Sequence, residues 1–83
     1  MVKASVLYER LKRSGQLVAF RDFERMVRAA GFVLKRRKGS HRSYRHPAVP
    51  AILTIQPNGK DAEPYQVKDF IAMVEDYGLE LDC

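Results

Sequence analysis

One short stretch of the sequence, residues 35–46, holds most of the side chains that could take part in chemistry. It contains both histidines of the chain, His41 and His46. It also contains six basic residues, which are Lys35, Arg36, Arg37, Lys38, Arg42 and Arg45. An imidazole can accept or donate a proton near neutral pH, and cations beside it can hold a phosphate group. The stretch therefore predicts either a phosphate-binding surface or a site of proton transfer beside a bound phosphate.

Cleavage of an RNA strand is a reaction that this set of groups could support. The RNA supplies its own nucleophile, the 2′-hydroxyl, so the protein needs only a proton-transfer group, a positive environment for the pentavalent phosphate and correct positioning. His41 is the candidate for proton transfer, and the six basic residues are the candidates for binding the RNA backbone. From the residues alone both roles of His41 stay open, since an exposed histidine in a basic strand is more often a phosphate contact than a catalyst.

The sequence gives no support to other kinds of site. The two histidines lie five residues apart, no cysteine is near them and no carboxylate lies within the basic stretch, so we predict no metal site. We find no glycine-rich phosphate loop, no catalytic serine pattern and no paired carboxylates, and we predict no cofactor. The single cysteine, Cys83, cannot form an internal disulfide, and no apolar run is long enough for a signal peptide or a membrane span. These features predict a cytoplasmic protein without membrane contact.

Charge is divided unevenly along the chain. Residues 25–60 contain nine Lys or Arg and no Asp or Glu, whereas residues 61–83 contain seven acidic residues and one Lys. The net charge is +5 and 46% of the residues are hydrophobic, which is too apolar for a disordered basic tail. Such a folded basic domain is typical of nucleic-acid binders, although charge alone also allows a basic protein with no nucleic-acid role.

Apolar spacing predicts three helices. Residues 2–13 form a short helix or a loosely attached arm that stops at Ser14-Gly15. The second helix ends at Gly31, and its apolar face consists of Phe20, Phe23, Val27 and Ala30. On its other side, Glu24 and Arg28 can pair across one turn. The third helix starts at Pro64 and closes at Gly78, and its apolar face consists of Val67, Phe70, Ile71 and Val74.

Between the second and third helices the apolar period changes to two, which predicts three antiparallel strands. The first starts at Phe32 and ends at a turn at 38–39, the second covers 40–46 and the third covers 51–56. We predict that Phe32, Leu34, Leu53 and Ile55 share the apolar face with Tyr44. Alternation along the second strand then places His41, Ser43 and Arg45 on the opposite face. His46 shares the inward parity of Tyr44, so we expect it to be a packed or hydrogen-bonded residue near Pro47 rather than a catalyst.

These elements define the predicted fold class, which is α+β. We predict one domain over residues 1–83, because the chain is near the lower size limit for a single stable core. The element order is α-β-β-β-α with a three-stranded antiparallel sheet, preceded by an extra N-terminal helix. Helices on one face of the sheet leave the other face exposed to solvent, and His41 and Arg45 point to that exposed face.

The residues around His41 also resemble a known family. Gly39-Ser40-His41 follows a strand that starts at Gly31-Phe32, and Arg45-His46-Pro47 closes the next strand. In this order the motifs are similar to those of the HicA mRNA interferase toxins of type II toxin–antitoxin systems. The similarity continues through 55–59 and 64–67, and it covers roughly residues 20 to 78.

The resemblance implies a double-stranded-RNA-binding-like fold with a core at 19–78, an N-terminal helix or arm at 1–15 and a tail at 79–83. It further implies a metal-independent endoribonuclease that cleaves mRNA, with the catalytic role on His41 and the turn role on Gly39 and Ser40. The implied partner is a HicB-like antitoxin, which we expect to be acidic, and no small-molecule cofactor is implied. The alternative is a non-catalytic RNA-binding module of the same fold. A purely structural partner-binding subunit would leave the dense basic stretch without a purpose.

Overall fold

A computed structural model of the chain describes residues 2–14 and 17–81. In chain order the elements are α1 (Ala4–Ser14), α2 (Phe20–Ala29), β1 (Val33–Lys38), β2 (His41–His46), β3 (Val49–Ile55), β4 (Pro57–Asn58), β5 (Asp61–Ala62) and α3 (Pro64–Tyr77). This order confirms the predicted α+β class and the α-β-β-β-α arrangement with an extra N-terminal helix. The predicted helix stop at Gly15 and the single cysteine, Cys83, lie outside the described residues.

The sheet has the order β1-β2-β3, and both pairs of neighbouring strands are antiparallel. Tyr44 at the centre of β2 lies opposite Leu34 of β1 and Leu53 of β3. The third strand begins at Val49, two residues earlier than predicted. The segment predicted only as a turn after β3 forms a second, two-stranded hairpin from β4 and β5, with Gly59 at a φ of 65° between them.

A single core lies between one face of the sheet and the helices. Its fully buried side chains are Phe23, Met26, Val27, Tyr44, Ile55 and Phe70. The rings of Phe23 and Phe70 meet edge to face, with centroids 5.7 Å apart, so the second and third helices pack directly against each other. Because Tyr44 and Ile55 are both buried in this core, the face of the sheet that carries them is the inward face of β2 and β3.

The prediction for the apolar face holds for every residue except Leu34. Phe32, Tyr44, Leu53 and Ile55 are buried, but Leu34 is 37% exposed although it lies opposite Tyr44. The reason is its strand: all six residues of β1 are exposed, so this edge of the sheet extends beyond the cover of the helices. The edge strand is therefore accessible from both faces.

The N-terminal segment is a packed helix and not a loose arm. Its apolar stripe is buried, with Ala4, Tyr8 and Leu11 all in the core. The Tyr8 ring meets Phe70 at 6.0 Å, and its hydroxyl donates a hydrogen bond of 2.8 Å to Glu75 Oε2. Lys12 Nζ lies 3.1 Å from the same carboxylate. One side chain of the acid-rich C-terminal segment, Glu75, thus binds two residues of α1. No helix among the described residues is both long and apolar enough to cross a membrane.

Candidate active site

The turn before β2 sets the position of His41. Gly39 and Ser40 connect β1 to β2, and the strand pair closest to the turn is Lys38 with His41. Gly39 has a φ of 60°, a conformation that L-residues rarely adopt, and glycine at the first position of a two-residue loop is characteristic of a type II′ turn. The motif therefore forms a tight hairpin that makes His41 the first residue of β2, directly beside a lysine.

Opposite the core, the sheet presents a solvent-exposed surface that we call the open face. We define it by the outward side chains of β2 and their cross-strand partners, which are His41, Ser43, Arg45, Lys38, Arg36, Val33 and Thr54. All of these are exposed except Ser43, which is half-buried. Residues that lie directly opposite each other in an antiparallel pair project to the same face, so the imidazole shares this surface with lysine, arginine and hydroxyl side chains and with the exposed Val33.

A β-bulge decides which basic residues of β1 join the open face. Strict alternation from Val33 would put Lys35 and Arg37 outward. The register shifts between Leu34 and Arg36, however, so Arg36 lies opposite Ser43 and Lys38 lies opposite His41. Arg37 consequently pairs with Arg42, whose side chain projects to the helix side. A bulge inserts one residue and re-aims the side chains that follow it, and here it brings two cations beside His41.

Arg42 does not belong to this surface, although its place in the basic stretch makes it one of the predicted RNA-binding residues. Its partner in β3 is the buried Ile55, and its side chain is 17% exposed on the helix side of the sheet. The guanidinium lies 4.8 Å from the centre of the Phe20 ring, and its Nε is 3.5 Å from Glu24 Oε2. Its Nη1 atom is buried without a hydrogen-bond partner among the described residues. The Arg42 side chain therefore packs between β2 and α2 on the helix side of the sheet, and it is not a cation of the open face.

Glu24 is the residue that connects α2 to the inward side chains of β2. Its Oε2 atom accepts a hydrogen bond of 2.6 Å from the hydroxyl of Tyr44 and lies 3.8 Å from Arg28 Nη2. Arg28 Nε in turn donates to the Tyr44 hydroxyl at 3.2 Å. Burial, together with the hydrogen bond to the Glu24 carboxylate, raises the pKa of Tyr44, so the phenol stays protonated and remains a donor. The predicted pair of Glu24 and Arg28 forms, but it faces the sheet and binds two residues of β2.

His46 occupies the inward position that the sequence predicts. Its ring meets Phe32 edge-on with centroids 5.2 Å apart, and its Nδ1 accepts a hydrogen bond of 3.0 Å from the backbone N–H of Ala48. The ring also lies against Gly31, where a Cβ atom would come within 2.9 Å of His46 Nε2. The His46 side chain thus packs against Phe32 at the end of β2, and its hydrogen bond to Ala48 stabilises the turn into β3. The two histidines are on opposite faces of one strand, and only His41 reaches the open face.

In the part of the chain that the structure describes, the remaining basic residues of the stretch have no acidic partners. All five are exposed, and within residues 2–14 and 17–81 none of them forms an ion pair: Lys35, Arg36, Arg37, Lys38 and Arg45. Each ion pair found among the described residues includes a residue of α1 or α2, and the cations are Lys12, Arg25, Arg28 and Arg42. Uncompensated cations on a rigid sheet attract a polyanion. Among the described residues no group of three His, Cys, Asp or Glu side chains is arranged to hold a metal ion.

The fold and the site together define a small α+β domain with an exposed histidine on a cationic sheet. Comparison with protein-family models gives a match over residues 20–79 to the family described as the HicA toxin of bacterial toxin–antitoxin systems. The chain belongs to this family, as the resemblance suggested. Neither a search of curated proteins nor a search of solved structures produced a significant match.

Family membership gives the general role of the protein. HicA proteins are the toxins of toxin–antitoxin pairs and are generally ribonucleases, so an antitoxin partner is implied. The match begins at Phe20 and contains the complete sheet, the Gly39-Ser40 turn and the third helix. Helix α1 lies before the matched residues, so it is packed onto the family core as an N-terminal addition.

Proposed function

We propose that this protein is a metal-independent endoribonuclease toxin that cleaves mRNA, with His41 as a general acid or base. The observation that carries the proposal is the placement of His41 at the start of β2 on the open face, opposite Lys38 and without an ion pair to any acidic residue of the described ranges. The unpaired cations around it provide the positive environment that a phosphate ester needs. Most side chains of the open face are exposed and they extend along the strands, which suits a strand of RNA rather than a small molecule.

The reaction uses the 2′-hydroxyl of the RNA as its nucleophile. This oxygen attacks the adjacent phosphorus and gives up its proton, and the bond from phosphorus to the 5′-oxygen breaks as that oxygen takes up a proton. The products are a 2′,3′-cyclic phosphate and a free 5′-hydroxyl. His41 accepts or donates one of these protons, which in general contributes about 10² to 10⁴ in rate. Lys38 and Arg36 lie where they stabilise the negative charge of the pentavalent phosphate.

The remaining cations bind the RNA on either side of the reacting phosphate. Arg45 lies on the open face four residues beyond His41, which is about 13 Å along the strand. Lys35 and Arg37 extend the positive surface around the exposed edge strand β1. Arg42 is left out of this set because its guanidinium already contacts Glu24 and Phe20 on the helix side.

Analysis of the reaction products tests the proposal. Purified protein incubated with end-labelled RNA in the presence of EDTA should generate fragments that end in a 2′,3′-cyclic phosphate or a 3′-phosphate. EDTA should not slow the reaction, because the 2′-hydroxyl route needs no metal. Binding without cleavage would favour the alternative, a non-catalytic RNA-binding module of the same fold. Inhibition by EDTA would instead contradict the proposed mechanism.

The antitoxin, which we propose to be a small acidic HicB-like protein, covers the open face and so occludes His41. Charge complementarity favours this face because its cations are unpaired.

We expect Arg45→Glu to weaken the complex with the antitoxin at least tenfold, since it places a carboxylate against an acidic partner. Lys68→Glu on α3 is the matched control: it makes the same charge change at an exposed position on another surface. Isothermal titration of the purified partners gives both affinities. Equal effects of the two changes, or a complex in which His41 stays exposed, would contradict occlusion.

A further inference from the structure

Two neutral hydroxyl side chains lie at the centre of the open face. Ser43 of β2 is paired with Thr54 of β3 on one side and with Arg36 of β1 on the other. Along β2 itself, His41 precedes Ser43 by two residues and Arg45 follows it by two. Ser43 is therefore surrounded by an imidazole, two guanidinium groups and a second hydroxyl.

The fold makes no evident use of this hydroxyl pair. Both side chains point away from the core, and neither forms a side-chain hydrogen bond within the described ranges 2–14 and 17–81. The inward positions of the same strands are apolar, belong to the Glu24 network or, at His46, pack against Phe32. The pair is thus available to a ligand that lies across the open face.

The cations of the open face bind phosphates, and phosphates are the same in RNA and DNA. What distinguishes RNA at a given site is the 2′-hydroxyl, which both donates and accepts hydrogen bonds. A serine or threonine hydroxyl has the same two capacities, so it can exchange a donor and an acceptor with a ribose. Lysine and arginine side chains only donate.

We propose that Ser43 and Thr54 recognise a ribose 2′-hydroxyl next to the cleaved bond and so make the open face selective for RNA over DNA. Ser43 lies about 7 Å along the strand from His41, given the rise of two residues in a β-strand. When the reacting phosphate is at His41, the hydroxyl pair lies beside an adjoining nucleotide rather than at the reacting atoms. Both residues are positioning residues, and the inference rests on the proposed function in taking RNA as the ligand.

The test compares RNA with DNA of the same base sequence, in a His41→Ala background that keeps the RNA intact. Fluorescence anisotropy with a labelled single-stranded oligonucleotide gives both dissociation constants. We expect the parent to bind RNA more tightly than DNA. Ser43→Ala and Thr54→Val, made singly, should each weaken RNA binding about two- to tenfold, which corresponds to the loss of one neutral hydrogen bond. DNA binding should change less than twofold.

Two features make the outcome decisive. The DNA affinity of each variant shows whether the protein is folded, and Thr54→Val keeps the shape and β-branching of the side chain. Arg45→Ala is the contrasting control, because it removes a phosphate contact and should weaken RNA and DNA binding equally. Equal RNA and DNA affinity in the parent, or a loss that is absent or the same for both nucleic acids in the hydroxyl variants, would overturn the inference. Continued cleavage in the His41→Ala background would refute the catalytic role of His41 and leave the hydroxyl pair unaffected.

Discussion

Replacement of His41 by alanine is expected to slow RNA cleavage by about 10² to 10⁴, because it removes the only proton-transfer group that we assign to the site. The fold should be nearly unaffected. His41 is exposed at the start of β2, so its loss should change the free energy of unfolding by no more than ~0.5 kcal/mol. RNA binding should also persist, since five exposed cations that form no ion pair among the described residues remain around the position.

Initial cleavage rates at saturating protein, measured beside RNA affinity, separate these effects. His46→Ala is the histidine control: it removes an inward ring that packs on Phe32 and leaves the open face intact, so the folded fraction of that variant should cleave RNA at the parental rate. Arg45→Ala should weaken binding and lower the salt dependence by about 0.7 log units per log unit of salt for each phosphate that the protein no longer binds. Parental cleavage by His41→Ala would make the non-catalytic module the better description.

The sequence best predicts which side of an element is buried where apolar residues recur at the strand or helix period. In β2, Tyr44 is the only large apolar side chain, yet its parity is enough to place His41 outward and His46 inward, and both positions are confirmed. The helices are similarly marked by Phe23 and Phe70, which are fully buried as predicted. Glycine at 39 and 78 supplies the turn and the helix end, since each adopts a positive φ.

The parts that could not be predicted are those that polar residues build. In β1, four consecutive basic residues after Leu34 carry no apolar marker, so nothing in the sequence reveals that the register shifts between Leu34 and Arg36. This bulge decides that Arg36 and Lys38, rather than Lys35 and Arg37, share the face of His41. Alternation along β2 is sufficient to predict that Arg42 points inward. It does not reveal the acidic partner of Arg42, because that residue lies on another element.

That partner, Glu24, lies 18 residues earlier in the chain. Sequence spacing identifies only its local pair with Arg28, because an i, i+4 contact follows from helix geometry. Its contacts with Tyr44 and Arg42 depend on how α2 packs across β2, which no short-range pattern specifies. The number of basic residues in a sequence therefore does not show which of them are available to bind RNA. In this protein the packing of α2 against β2 brings a carboxylate to Arg42 and leaves the other cations of the basic stretch exposed.

Replacement of Glu24 by alanine is expected to have the largest effect on stability among the polar residues. The carboxylate is 19% exposed and contacts the Tyr44 hydroxyl at 2.6 Å and Arg42 Nε at 3.5 Å. Without it, a mostly buried guanidinium loses its neighbouring anion and a buried phenol loses its acceptor. Removing one partner of a buried charged pair is strongly destabilising, and for this partly buried network we expect a loss of about 2–4 kcal/mol in the free energy of unfolding. Urea denaturation followed by circular dichroism measures it.

Two further variants show whether the loss comes from the network. Asp69→Ala removes an exposed carboxylate of α3 and should change stability by no more than ~0.5 kcal/mol. Arg42→Met combined with Glu24→Ala removes both charges and retains a long side chain over Phe20, so the double variant should be more stable than Glu24→Ala alone. Such recovery is expected because the greater part of the cost arises from an unpaired buried charge rather than from the missing attraction. If Glu24→Ala were as stable as the parent, Arg42 would be well solvated in solution and would return to the set of cations available to RNA.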